Sequence, residues 1–268
     1  MSLDRTDEDL LAAVRESPRA VAAHDKVAWV GLFAENAEVH DPYGSRAHVG
    51  VEAISRFYNV FIAPNTIDFH VHRDLVAGHM VVRDLLIETR MSTGATVSVP
   101  MHLRYDLVGT DDGWRIARLA AHWELRVMVA RLLRTVPAGL LAGVKLGPQL
   151  VGELGVGGAM GMMRALGGVG GAGKRVVGRL FDAGDPDGVR ALLDERAVIE
   201  MPAGNPVSVA EFADLARDMQ WDKMIAAGRT VSVSVRVGAS QGVAFVDFAP
   251  DRPRITAVRV FLDGDPAR

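Results

Sequence analysis

Asp41 is the residue whose type and setting could do chemistry. It stands at the end of a short stretch, Ala37–His40, in which apolar Ala37 and Val39 alternate with Glu38 and His40, and is followed by Pro42 and a loop containing Gly44. A carboxylate at the rim of an apolar pocket is a candidate general base, because burial and neighbours tune its proton affinity toward neutrality. The same residues also suit an Asx-Pro turn in which Asp41 only caps a loop. The local sequence leaves both readings open.

The elements that would position Asp41 are a short strand before it and an amphipathic helix after it. Val51, Ile54, Phe57, Tyr58 and Phe61 recur at the i, i+3, i+4, i+7 spacing of a buried helical face. Upstream, Thr6 followed by Asp7, Glu8 and Asp9 marks a helix start with negative charge in its first turn. Pro18 is expected to break that helix, with Ser17 as the N-cap of its continuation. Asp25 opens a second helix through Trp29, Leu32 and Phe33. Downstream, Ile67, Phe69 and Val71 alternate with Asp68, His70 and His72, which places the two histidines toward solvent. Strands are expected over His79–Met91, Thr96–Val108 and Trp114–Arg126, the last two joined by a hairpin at Gly109–Gly113. Helices followed by a run of strands predict an α+β fold.

Composition narrows the function classes. The chain has 268 residues, 49% of them hydrophobic and 24% charged, which suits one large or two ordinary globular domains. Thirty Lys and Arg against 33 Asp and Glu give a net charge of −3, with no basic surface for nucleic acid. Without cysteine there is no thiol or disulfide chemistry, and the eight histidines show no metal-ligand spacing. No metal or other cofactor is therefore expected. The acidic N-terminus lacks the features of a signal peptide, so a cytoplasmic location is the expectation.

A family likeness rests on named residues. His24-Asp25 precedes Leu32-Phe33-Ala34; then come Val39-His40-Asp41-Pro42-Tyr43-Gly44-Ser45, Gly50-Val51-Glu52-Ala53-Ile54 and Phe57-Tyr58. Over residues 1 to about 126 this resembles the ketosteroid isomerases and the wider SnoaL-like, nuclear-transport-factor-like proteins. The resemblance implies a cone-shaped α+β barrel with a deep apolar pocket and Asp41 in the general-base position. In the isomerases that base works with a tyrosine and a protonated aspartate. Their tyrosine would fall near Ser17, and counting from Pro100 puts His102 in the place of the second acid. His102 is then the expected stabiliser of an enolate, either as imidazole or imidazolium. Trp29, Phe57, Tyr58, Phe61, Arg104, His122 and Trp123 are the expected pocket residues, and dimerisation through the sheet is common in such proteins.

Beyond residue 173 the first pattern returns. Ala183-Gly184-Asp185 stands 160 residues after Ala23-His24-Asp25, and the same offset pairs Leu32 with Leu192, Pro42 with Pro202 and Gly44 with Gly204. Asp41 then faces Met201. The reading is three parts: residues 1–130 with the site, an apolar Gly-rich linker at 131–173, and a degenerate second copy at 174–268 that is one long strand short. Within 136–173, packed helices, contact with a membrane surface and a loose linker remain competing readings. The expected activity is proton transfer on an apolar carbonyl compound, as in a steroid isomerase. The alternatives are a steroid, lipid or polyketide binder without turnover, and a SnoaL-like cyclase or dehydratase.

Overall fold

The computed structural model describes residues 5–92, 94–134 and 167–264. Two compact α+β units divide the chain. The first contains α1 (Arg5–Ala22), α2 (Lys26–Gly31), β1 (Phe33–His40), β2 (His48–Val49), α3 (Gly50–Phe57), β3 (Asn65–Ala77), β4 (Met80–Met91), β5 (Thr96–Thr110), β6 (Gly113–His122) and α4 (Leu125–Arg134). Its sheet has the order β2-β1-β6-β5-β4-β3. β1 runs parallel to β6, while β5 is antiparallel to both β4 and β6. The α+β class holds, but the sheet is mixed and open, where a cone-shaped barrel of curved antiparallel sheet was expected.

Tertiary burial overrides the expected break at Pro18. α1 runs unbroken from Arg5 to Ala22 with Pro18 inside it. Leu10, Leu11, Val14, Ser17 and Val21 are all buried at helical spacing. Burying each large apolar side chain is worth roughly 1.5–3 kcal/mol, which together outweighs the ~3 kcal/mol that an interior proline costs. Ser17 is thus a mid-helix residue facing inward, and not an N-cap. α2 does start at Asp25, whose side chain accepts from the Ala28 amide at 2.9 Å, but it ends at Gly31 and Phe33 already begins β1.

After α3 the backbone widens into one π turn, Tyr58–Ile62, closed by a hydrogen bond from the Ala63 amide to the Tyr58 carbonyl at 2.9 Å. The wider turn turns Phe57, Phe61 and Ile62 toward the same side. β6 ends at His122, and Leu125 starts a helix where the sequence predicts strand to Arg126.

The second unit contains α5 (Gly170–Phe181), α6 (Pro186–Leu192), β7 (Leu193–Glu200), α7 (Val209–Ala216), β8 (Met219–Ala227), β9 (Thr230–Val237), β10 (Ser240–Phe248) and β11 (Ile255–Leu262). Its sheet order, β7-β11-β10-β9-β8, follows that of β1-β6-β5-β4-β3, again with the first strand parallel to the last. No long strand is missing: Met219–Ala227 pairs with β9, and only the two-residue β2 has no named counterpart among the described residues. The alternation in Met219–Ala227 is masked in sequence by the consecutive polar residues Asp222 and Lys223, where the pairing register shifts. α7 is held by a capping box between Ser208 and Glu211. Of the expected linker, 135–166 lies outside the described residues, so the readings of that segment do too. Among the described residues no helix is long and apolar enough to cross a membrane.

Candidate functional site

The first unit encloses a cavity of about 180 Å³ between the inner face of its sheet and its helices. β5 contributes Val97, Val99, Met101, Leu103 and Tyr105, every second residue, as a pleated strand must. β3 and β4 add Ile67, Phe69, Ile87 and Thr89. Ser17 and Val21 come from α1, Trp29 from α2, and Phe57, Phe61 and Ile62 from α3 and its π turn. Three of these aromatic side chains pack on one another: Trp29 lies 6.2 Å from Phe57, and Phe57 lies 4.9 Å from Phe61.

Asp41 is the one carboxylate on this wall among the described residues. It follows directly on β1, whose buried Ala37 and Val39 fix the strand against β6. The Trp123 indole Nε1 donates to Asp41 Oδ1 at 2.6 Å. Burial lifts the Asp41 carboxyl to about 6, partly opposed by that hydrogen bond, which favours the anion. The carboxylate is therefore engaged by Trp123 and turned to the cavity, where the Asx-Pro reading would have it cap the loop.

Of the residues expected to form the site, Asp41, Trp29, Phe57, Phe61 and Trp123 are brought together on the cavity wall. Tyr58 is buried behind it, 5.6 Å from the Trp29 ring. His102, Arg104 and His122 are placed elsewhere. Met101 and Leu103 point into the cavity, so His102 and Arg104 point to the opposite face of the sheet. There His102 is paired across strands with His122 on one side and Asp84 on the other, with Nε2 3.8 Å from Asp84 Oδ2. His122 is stacked on Tyr43 at 4.4 Å, and burial pushes its imidazole down to about 3. Arg104 donates from Nε to Asp106 Oδ1 at 2.8 Å. His70 and His72 are exposed, as the alternation predicts.

Besides Asp41, the polar residues Ser17, Asn65, Thr89 and Tyr105 line the wall, and none of them is among the expected site residues. Ser17 Oγ accepts from Trp29 Nε1 at 3.1 Å. Tyr105 is 1% exposed, and burial raises its phenol above the usual value. The available signal was parity: Tyr105 lies on the same strand face as the hydrophobic Val97, Val99 and Leu103. Among the described residues no group of three or more histidines and carboxylates is placed to hold a metal ion.

In the second unit Met201 occupies the position after the strand that Asp41 occupies in the first. It is 2% exposed and packed in a hydrophobic core with Phe212, Val176 and Leu180 among others.

Comparison with known proteins places residues 14–126 within the family described as the SnoaL-like domain. No curated protein matches the chain. A Δ5-3-ketosteroid isomerase from Mycobacterium sp. is 24% identical, with a TM-score of 0.41, over 44% of this chain and 95% of that one. A Mycobacterium tuberculosis protein solved in complex with estradiol-17β-hemisuccinate is also 24% identical, with a TM-score of 0.40, over 44% and 95%. An LEH-like epoxide hydrolase of M. tuberculosis is 18% identical, with a TM-score of 0.41, over 51% and 96%.

Proposed function

Residues 14–126 belong to the SnoaL-like family, and from that premise we propose that the first unit is a proton-transfer enzyme for an apolar carbonyl compound, with Asp41 as its general base. One observation carries the reading. A lone carboxylate lines a predominantly apolar cavity, and its pKa is raised to about 6, close to the pH at which it would work. Such a group is ionised at neutral pH and still basic enough to take a proton from carbon next to a carbonyl. The Trp123 indole orients it through Oδ1 and leaves Oδ2 for the substrate. Isomerisation of a steroid-like ketone is the first choice, and cyclisation or dehydration would use the same base.

Residues 174–268 are read as a second copy of the fold that lacks the base, since Met201 stands in its place within a hydrophobic core. The second unit then has a structural role.

The test is the isomerisation of a Δ5-3-ketosteroid followed by absorbance. Asp41→Asn should abolish turnover and leave steroid affinity within a few fold. For the wild type, kcat/KM should fall as pH drops through about 6, because the free enzyme must hold Asp41 ionised. Turnover that survives in Asp41→Asn would overturn the assignment. Steroid bound without turnover in the wild type would instead favour a carrier, for which the predominantly apolar wall is the supporting observation.

A further inference from the structure

Trp123 holds Asp41 on the cavity side of the sheet, and the chain around this pair makes a second contact on the other side. We infer that Tyr43, stacked on His122 on the outer face of the sheet, is a positioning residue that fixes the chain carrying Asp41 against the end of β6.

Three consecutive residues at the end of β6 meet the chain around Asp41. The Ala121 carbonyl accepts from the Tyr43 amide at 2.8 Å. The Trp123 indole donates to Asp41 Oδ1 at 2.6 Å, on the cavity wall. His122, between them in sequence, lies opposite His102 on the outer face. Its ring stacks on Tyr43, with centroids 4.4 Å apart and planes at 24°. Arg118, also on β6, has its Cζ 5.7 Å from the centroid of the Tyr43 ring, within cation–π range. Asp41 and Tyr43, two residues apart, are thus gripped from opposite faces of one strand. Pro42 between them is buried, and its ring locks φ. The link from the stack to the carboxylate is short and stiff.

The second unit shows what the fold itself requires. The Ala203 amide donates to the Val260 carbonyl at 2.7 Å, as Tyr43 donates to Ala121. That match sets Met201 against Asp41, Ala203 against Tyr43, Phe261 against His122 and Leu262 against Trp123. Phe261 packs edge-on against Phe245 at 5.7 Å. The backbone hydrogen bond is enough for the fold, and the stack stands in the unit that has a carboxylate to place.

Burial keeps the His122 ring neutral above about pH 3, so the stack is unchanged while Asp41 titrates near 6. The other charged and titratable groups around it are His102 and Arg104 from β5 and Arg118 from β6, with Asp84 and Asp106 beside them. From β1, His40 lies 6.0 Å from the Tyr43 ring and 2.8 Å from Glu38. Loosening the stack would admit water to Asp41. Burial is the larger of the two causes acting on that carboxyl, so its pKa would fall toward 3.8. Asp41 would then be a weaker base, held in fewer productive orientations.

The inference deepens the proposed function and rests on it for the reaction, whereas the setting of Asp41 can be read without a substrate. The experiment follows the protonated-carboxyl infrared band of Asp41 across pH in the full chain, isolated by subtracting the spectrum of Asp41→Asn in the same background. Its midpoint should stand at about 6 in the wild type and move toward 3.8 in Tyr43→Ala. Tyr43→Phe, which keeps the ring, should restore the wild-type midpoint. With a Δ5-3-ketosteroid, kcat should fall about a hundredfold in Tyr43→Ala, as an ångström-scale misplacement costs, while steroid affinity stays within a few fold. Should Tyr43→Ala fail to fold, His122→Leu carries the test: it removes the other ring, and the midpoint should move the same way. A merely structural stack would lower the unfolding midpoint and leave the Asp41 titration in place, and that result overturns the inference. So does Tyr43→Phe behaving like Tyr43→Ala, or a wild-type midpoint already at 3.8. A wild type that shows these shifts but turns over no ketosteroid removes the proposed reaction and leaves the positioning role standing.

Discussion

At the scale of single residues, the burial that makes Asp41 useful also makes it expensive. Its carboxyl titrates near 6 in the folded chain against an ordinary value of 3.8. Between those two pH values the native state holds a proton that the unfolded chain has released. Stability therefore falls as pH rises from about 4 to about 6, and the loss is complete above that window. The shift corresponds to at most ~3 kcal/mol. Asp41→Asn should accordingly raise the stability of the first unit at pH 8, and the gain should vanish below pH 4. Denaturant titrations of both proteins at the two pH values check this; equal stabilities at pH 8 would contradict the buried-carboxylate picture. The residue scale is also where the sequence reading went astray. His102 was reached by counting from Pro100, and a one-residue offset on a strand moves a side chain to the other face of the sheet. The cavity-facing neighbour is Met101.

At the scale of elements, local signals fared well where tertiary packing agreed with them. Asp25 caps α2, the alternation of Ile67 and Phe69 puts both on the cavity wall, and the β5–β6 hairpin turns at Asp111–Asp112. They failed where packing opposed them. α1 continues through Pro18 because its buried stripe runs on to Val21. Replacing that proline by alanine restores a backbone donor and removes the ring's clash, so Pro18→Ala should stabilise the first unit by roughly 1–3 kcal/mol. The measurement is the midpoint of its chemical unfolding, and a lower midpoint would mean that the proline ring itself is needed in the packing. The π turn after α3 left no signal in the sequence; in the structure Phe57, Phe61 and Ile62 around it all reach the cavity wall.

At the scale of the whole molecule, two units with the same strand order have different interiors. The first keeps a cavity with a carboxylate on its wall, and the second places Met201 in a continuous hydrophobic core. Introducing the acid there should not create a site. Met201→Asp would bury a charge with no partner, which costs on the order of 3–5 kcal/mol, and the second unit should unfold at lower denaturant with no new turnover. Activity gained by that variant would mean that the second unit retains a working pocket. The sequence by itself determined the α+β class, the return of the pattern after residue 173 and Asp41 as the place to look. It could do so because hydrophobic periodicity and residue type are local properties. Which side chains meet Asp41 and which face of β5 looks inward were decided only in the tertiary structure. Those depend on strand register and on partners as distant in the chain as Asp41 and Trp123, and no local pattern records them.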